Sequence, residues 1–142
     1  MVISKATMFA PLLEADASFQ SEWDAFCDDW RDEIDPPLYI VLGNLARHIL
    51  ARLQTNNLAG LDGVFDVIER WHIDGDAYVK EAATVGLLEG LQNDLSHLEA
   101  EWKEGDGPTP IVEPWLRPES RKWWDKLNRF WEGDPTALRN DE

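Results

Sequence analysis

His48, His72 and His97, a few paired carboxylates and the single thiol of Cys27 are the reactive groups of this chain. None of them falls in a pattern that chemistry requires. The histidines form no i,i+4 pair with one another or with the cysteine, so the ligand spacing of a helical metal site is missing. His72-Ile73-Asp74-Gly75-Asp76 offers oxygen ligands but lacks the full calcium-loop pattern, and a helix–helix turn is the better reading. Asp28-Asp29 and Asp32-Glu33 are adjacent carboxylates. General acid–base work needs a carboxyl in a cleft with a shifted pKa, whereas these fall on the polar face of a helix. Cys27 lies in an apolar helical stripe with no histidine near it in sequence, which implies a buried, inert thiol. There is no phosphate-cradling glycine loop and no nucleophile elbow. The expectation is a protein that is not an enzyme, with no catalytic residue, no metal and no cofactor.

One polar group invites a closer look. Glu89, Gln92 and Asn93 cluster on one long helix. Arg47 and His48 meet them if the third and fifth helices pack, and Arg121, Trp124 and Asp125 join from the last helix. Such a group either fixes packing as a buried network or forms a recognition groove.

The chain carries 28 acidic and 13 basic residues, a net charge of −15. That field repels nucleic acid and anionic membranes and attracts basic partners; solubility alone is the plainer account. The charge is uneven. Residues 14–35 hold nine acids, Asp28, Asp29, Asp32, Glu33 and Asp35 among them, against Arg31 alone. Residues 117–129 hold five bases and two acids. The two segments either pair within the fold or face different partners.

The elements that position these groups are helices, because apolar residues recur at helical steps. A short helix is expected near residues 8–15. Ser18 is a plausible N-cap for a second, whose stripe is Phe19, Trp23, Phe26, Cys27, Trp30 and Ile34 and which Asp35-Pro36-Pro37 stops. A central third helix runs from Leu38 to Thr55, and Thr55-Asn56-Asn57 reads as a turn. The fourth spans residues 58–72, with Leu61, Val64, Phe65, Ile68 and Trp71 inward. After Asp74-Gly75-Asp76, a long fifth helix is expected over 77–102. Its Gly86 and Gly90 share a face and imply close approach of another backbone, with a kink near Asn93 as the alternative. A proline-stiffened connection over 104–118 leads to the last helix, which opens at Pro118 and ends at Gly133. Eight tryptophans fall mostly at core positions. The chain of 142 residues fits one domain, residues 1–133, with a frayed tail over 134–142. A domain of this size buries roughly 70% of its unfolded surface. The fold class is therefore all-α, a single compact bundle of about six helices with HEAT/armadillo-like antiparallel pairs. No signal region or membrane span is evident, so a cytoplasmic location is expected.

The run Asp76-Ala77-Tyr78-Val79-Lys80-Glu81-Ala82-Ala83, followed by Leu87-Leu88, resembles the second helix of a HEAT repeat, although one helical pair does not make a solenoid. Leu42-Gly43-Asn44-Leu45-Ala46-Arg47-His48, Val64-Phe65-Asp66-Val67-Ile68-Glu69-Arg70, Gly86-Leu87-Leu88-Glu89-Gly90-Leu91-Gln92-Asn93 and Pro118-Glu119-Ser120-Arg121-Lys122-Trp123-Trp124-Asp125 are similar to a family of small uncharacterised bacterial proteins, over about residues 38–132. That resemblance implies a helical domain of unknown function, with immunity partners of secreted toxins as an analogy. It leaves residues 14–35 mostly outside, as a segment particular to this protein.

The functional expectation is an acidic binding protein that neutralises or docks a basic protein partner, as a monomer or homodimer, with no nucleic acid or membrane bound. The binding residues expected are Asp28, Asp29, Asp32, Glu33 and Asp35, or else Arg47, His48, Glu89, Gln92, Asn93, Arg121 and Trp124. Alternatives are a small helical scaffold that reads shape rather than charge, and a small-molecule binder or unrecognised enzyme.

Overall fold

The computed structural model describes residues 2–99, 112–134 and 136, with the backbone alone for 96–99. Six helices make up the fold among these residues. Helix α1 is Phe9–Ala15; a 3-10 turn, Ala17–Phe19, leads into α2, Gln20–Asp29. Helix α3 is Leu38–Gln54 and α4 is Leu61–Asp74. Helix α5, residues 77–99, is continuous but changes pitch: Ala77–Glu81 and Glu89–Glu99 are α-helical, and Ala82–Leu88 between them is π-helical. A 3-10 turn, Glu113–Trp115, precedes α6, Pro118–Trp131. No strand occurs among the described residues; an isolated parallel bridge joins Ile3 to Gly75.

The core follows from the apolar stripes. Leu42, Leu45 and Ile49 of α3, Leu61, Phe65, Ile68 and Trp71 of α4, and Leu87 and Leu88 of α5 are all fully buried. Helix α3 packs along the π-helical stretch and the C-terminal half of α5, α1 packs on α4, and α6 closes over α4 and the π-helical stretch. The α4–α5 hairpin is joined by Gly75-Asp76 alone, and the Asp76 side chain caps α5 by accepting from Val79 N–H at 2.9 Å. This hairpin is the antiparallel pair that the sequence implied.

Gly75 is there because nothing larger fits. A Cβ at that position would lie 2.3 Å from the Trp71 carbonyl oxygen and 2.6 Å from Val79 Cγ1. Backbone cannot yield as a flexible side chain does. Gly75→Ala should therefore destabilise at or beyond the upper end of the roughly 1–3 kcal/mol typical of overpacking. Urea unfolding at neutral pH measures this; a loss below about 0.5 kcal/mol would show that the hairpin relaxes freely.

Several expectations need correction. Helix α2 stops at Asp29, six residues short of Asp35. Ile34, placed in its stripe, is wholly exposed, and Cys27 is exposed rather than buried. The apolar period holds at Trp23, Phe26 and Trp30, which pack on the core, but Cys27 falls off that face and Ile34 lies beyond the end of the helix. Ser18 does not cap α2. It sits inside the 3-10 turn, where the Asp16 carboxylate receives its N–H. Gly86 does admit a close neighbour, but the neighbour is side chain rather than backbone: its absent Cβ would meet Leu42 Cδ1 at 2.8 Å and the Tyr39 ring at 3.1 Å. The irregularity of α5 lies at 82–88, not at Asn93. Trp102, the side chains of His97 and Leu98, the connection over 104–111 and most of the tail over 134–142 lie outside the described residues.

Candidate functional site

The expected binding residues do not converge. Asp28, Asp29, Asp32, Glu33 and Asp35 are all exposed, at the end of α2 and in the turns that follow. Arg31 pairs with Asp28 at 3.2 Å and Lys5 pairs with Asp35. Three bases of the basic segment pair elsewhere. Arg117 reaches Asp66 at 2.9 Å and Asp62 at 3.6 Å on α4, while Arg121 and Lys122 pair within α6 with Asp125 and Glu119. Of the two readings of the uneven charge, pairing between these segments finds no support in these contacts.

The polar cluster separates into parts as well. Arg47 is exposed and donates to Asn44 on its own helix. His48 donates from Nε2 to Asp16, 3.1 Å away, and its ring packs on Phe19 at 5.2 Å. Neither forms a hydrogen bond to Glu89, Gln92 or Asn93 among the described residues. Asn93 and Arg121 are exposed. Burial raises the Glu89 carboxyl pKa. Gln92 does meet the last helix: its Nε2 donates to the Trp124 carbonyl at 3.1 Å. Gln92 Oε1 and Trp124 Nε1 are buried there without a partner.

Two polar networks take the place of the expected one. In the first, Asp16 is buried beneath the α1–α2 junction. Arg52 Nη1 donates to it at 2.9 Å, and the Ser18 hydroxyl and His48 donate as well. Burial pushes the Asp16 carboxyl up, but the Ser18 hydrogen bond, Arg52 and His48 together hold it below the usual carboxylate range. Arg52 also donates to the carbonyls of Asn57 and Ala59, so one guanidinium closes the α3–α4 turn. The Asp-x-Ser spacing of an Asx turn was the available signal for Asp16. Nothing local marks Arg52, which reads as one more charge near the C-terminal end of α3.

The second network lies where α4, α5 and α6 meet. His72 is buried. Its Nδ1 donates to the Ile68 carbonyl at 2.9 Å, which leaves Nε2 to accept from the Thr84 hydroxyl at 3.1 Å. Burial lowers its pKa, so the ring is neutral at pH 7. A hydroxyl beside an imidazole has the spacing of a nucleophile and its base. Here both groups are buried, 5% and 3% exposed, with the Ser120 hydroxyl 3.4 Å from His72 Nδ1 on the other side of the ring, and both lie at the floor of a cleft. This cleft, of about 780 Å³, is lined by Lys80 and Thr84 of α5 and by Glu119, Lys122 and Trp123 of α6. The π-helical pitch turns Thr84 inward at this point, and π-helical turns often mark functional sites.

Glu69 holds α6 in place over the same region. Its carboxylate accepts from the N–H groups of Glu119 and Ser120 at 2.9 and 2.7 Å and from the Ser120 hydroxyl at 2.8 Å. It thus caps from α4 a helix whose own N-cap residue, Arg117, provides no side-chain cap. Glu69→Ala should cost about 1–2 kcal/mol, the range of a lost cap. Hydrogen exchange of the first turn of α6 is the sensitive readout. Unchanged exchange in Glu69→Ala would mean that the cap is dispensable.

A family model described as Domain of unknown function (DUF7674) matches residues 9–132. The chain belongs to this family. No curated protein and no solved structure matches it. The DUF7674 match begins at the first residue of α1 and ends one residue beyond α6. Residues 14–35 therefore lie inside the family's span, which corrects the expectation that they stand mostly outside it. The Asp16 network, the cleft and the exposed acids are all parts of the DUF7674 domain itself. No group of three or more side chains suited to a metal occurs among the described residues, and no helix there is long and apolar enough to cross a membrane.

Proposed function

We propose that this chain is a non-enzymatic acidic binding protein that docks a basic protein partner through residues 28–35. The observation that carries the proposal is Ile34. It is wholly exposed in a run of exposed acids, Asp28, Asp29, Asp32, Glu33 and Asp35, of which two have a cation partner among the described residues. An apolar side chain held out among carboxylates suits a surface that attracts by charge and then buries a contact. The net charge of −15 supports fast, salt-sensitive association with a basic partner rather than with nucleic acid. Neutralisation of a bacterial toxin in the cytoplasm, in the manner of an immunity protein, is the role we infer.

The test compares the native protein with the variant Asp28→Lys/Asp29→Lys/Asp32→Lys/Glu33→Lys in capture from native lysate at low and high salt. A basic protein retained stoichiometrically by the native chain at low salt, and lost both at high salt and with the variant, is the expected result. A partner held equally by both chains would transfer the role to a scaffold that reads shape, and capture of none would remove the docking role. The cleft above His72 favours a second reading, a small polar ligand. Thermal stabilisation by a member of a metabolite panel would support it, and a flat response across the panel would end it.

A further inference from the structure

The protein has two tyrosines, and the fold brings them together. Tyr39, in the first turn of α3, and Tyr78, in the first turn of α5, meet edge to face with ring centroids 6.2 Å apart and planes at 83°. Tyr39 stays 39% exposed. Its ring lies over Gly86, where any side chain would crowd it, so the π-helical stretch is bare beneath it. Carboxylates surround the pair. Glu81 follows Tyr78 by three residues on α5 and so shares its face. Burial first, then Glu81 and Glu89, raise the pKa of Tyr39, and burial with Asp35 and Glu81 outweighs Lys5 to raise that of Tyr78.

A cation already occupies this place. Lys5 Nζ lies 5.0 Å from the centre of the Tyr78 ring and is ion-paired with Asp35. We propose that Tyr78, Tyr39 and Asp35, with Glu81 beside them, form a seat for one lysine or arginine side chain of the basic protein partner, and that Lys5 fills this seat in the free protein. The proposal rests on the docking role argued above and supplies its contact point. An aromatic face with a carboxylate at its edge binds an ammonium or guanidinium through both the ring quadrupole and the charge. Lys5 is suited to exchange. The Lys5 side chain is 30% and that of Asp35 79% exposed, and an ion pair open to water on one side contributes little to folding. The segment that carries Lys5 is tied to the body by two backbone hydrogen bonds at Ile3, 2.8 and 2.9 Å long. Ile34, next to Asp35 in the chain, gives an incoming residue apolar contact beside the seat.

With two tyrosines, ring-labelled [13C]tyrosine yields two assignable sets of signals. The experiment titrates the labelled full chain with acetyl-tetralysine amide at low salt, with calorimetry in parallel, and repeats this for Lys5→Gln, Tyr78→Phe and Tyr78→Leu. Both sets of ring signals should move on binding. Lys5→Gln should bind roughly 3- to 10-fold more tightly, because the internal competitor is gone. Tyr78→Phe should retain binding and Tyr78→Leu should lose most of it. Circular dichroism confirms that the variants stay helical. If calorimetry shows tetralysine bound while the tyrosine signals stand still and Lys5→Gln changes nothing, the seat is wrong and the docking role survives. If tetralysine fails to bind either the native chain or Lys5→Gln, the seat is again overturned, and lysate capture with the charge-reversed variant judges the docking role separately.

Discussion

Arg52→Ala should cost about 3–5 kcal/mol, the scale expected when one member of a buried ion pair is removed. Arg52 is 8% exposed and Asp16 is 5% exposed, so the carboxylate left behind has little water to turn to. The guanidinium also serves the carbonyls of Asn57 and Ala59, and these lose their donor at the same moment. The pH dependence carries the sign of the mechanism. In the native protein the Asp16 pKa is lowered, so its contribution is fully present above the ordinary aspartate pKa of about 3.9 and is lost as pH falls through the folded value. Without Arg52, burial is opposed only by the Ser18 hydrogen bond and His48, so the Asp16 pKa rises and protonation costs the variant less than it costs the native protein. The gap between native and variant should therefore narrow as pH drops from 6 toward 3. Urea unfolding across that range measures it. A gap that stays constant would show that Asp16 and Arg52 do not act as a pair. Arg52→Leu combined with Asp16→Asn should cost less than the sum of the two single changes, because neither group is left charged and alone.

This network also shows where the sequence stops being informative. The helices were legible because core-facing residues repeat at helical spacing. Leu42, Leu45 and Ile49 of α3 and Leu61, Val64, Phe65, Ile68 and Trp71 of α4 are buried as their spacing implies. The caps were legible where they are local, as at Asp76 for α5 and at Pro118 opening α6. Non-local polar contacts were not. Asp16 and Arg52 are 36 residues apart, and Glu69 caps a helix about 50 residues further along the chain. Periodicity says which face turns inward but not which inward polar groups meet. It also misled at the margins of a stripe: Cys27 sits beside the buried face of α2 rather than on it, and Ile34 lies past the helix end, whereas Trp30 between them still packs on the core. The exposed ending is the very part proposed to bind, which fits the tendency of local rules to fail at functional surfaces. His48 is instructive in another way. Its meeting with Glu89 depends on α3 packing against α5, and the two do pack. Its ring, however, points back to Asp16 at the α1–α2 junction.

Trp71→Ala is expected to be as damaging as the loss of Arg52, about 3–5 kcal/mol, and its consequences should reach the acidic segment. Trp71 is fully buried on α4, and its indole N–H donates to the Met8 carbonyl at 2.9 Å. Truncation opens a cavity and takes the indole donor from that carbonyl, which as the N-cap carbonyl of α1 keeps only its helical bond. Trp71→Phe restores part of the volume but not the hydrogen bond, and should cost roughly 1–3 kcal/mol. The ring is also the first of a series. Phe9 packs on Trp71 with centroids 5.7 Å apart, Trp23 stacks on Phe9 at 4.5 Å, and Phe26 packs on Trp23 at 5.8 Å. Through these contacts α4 holds α1, and α1 holds α2, whose last turn carries Asp28 and Asp29. Losing the first ring should loosen α1 and α2 before the rest of the bundle. Hydrogen exchange of Trp71→Ala should thus quicken most in residues 9–29 and least in the centre of α3, under conditions where the whole protein remains folded. Uniform quickening across all six helices would mean that α1 and α2 are integral to one cooperative core. The acidic segment would then owe its placement to the whole fold rather than to this aromatic series.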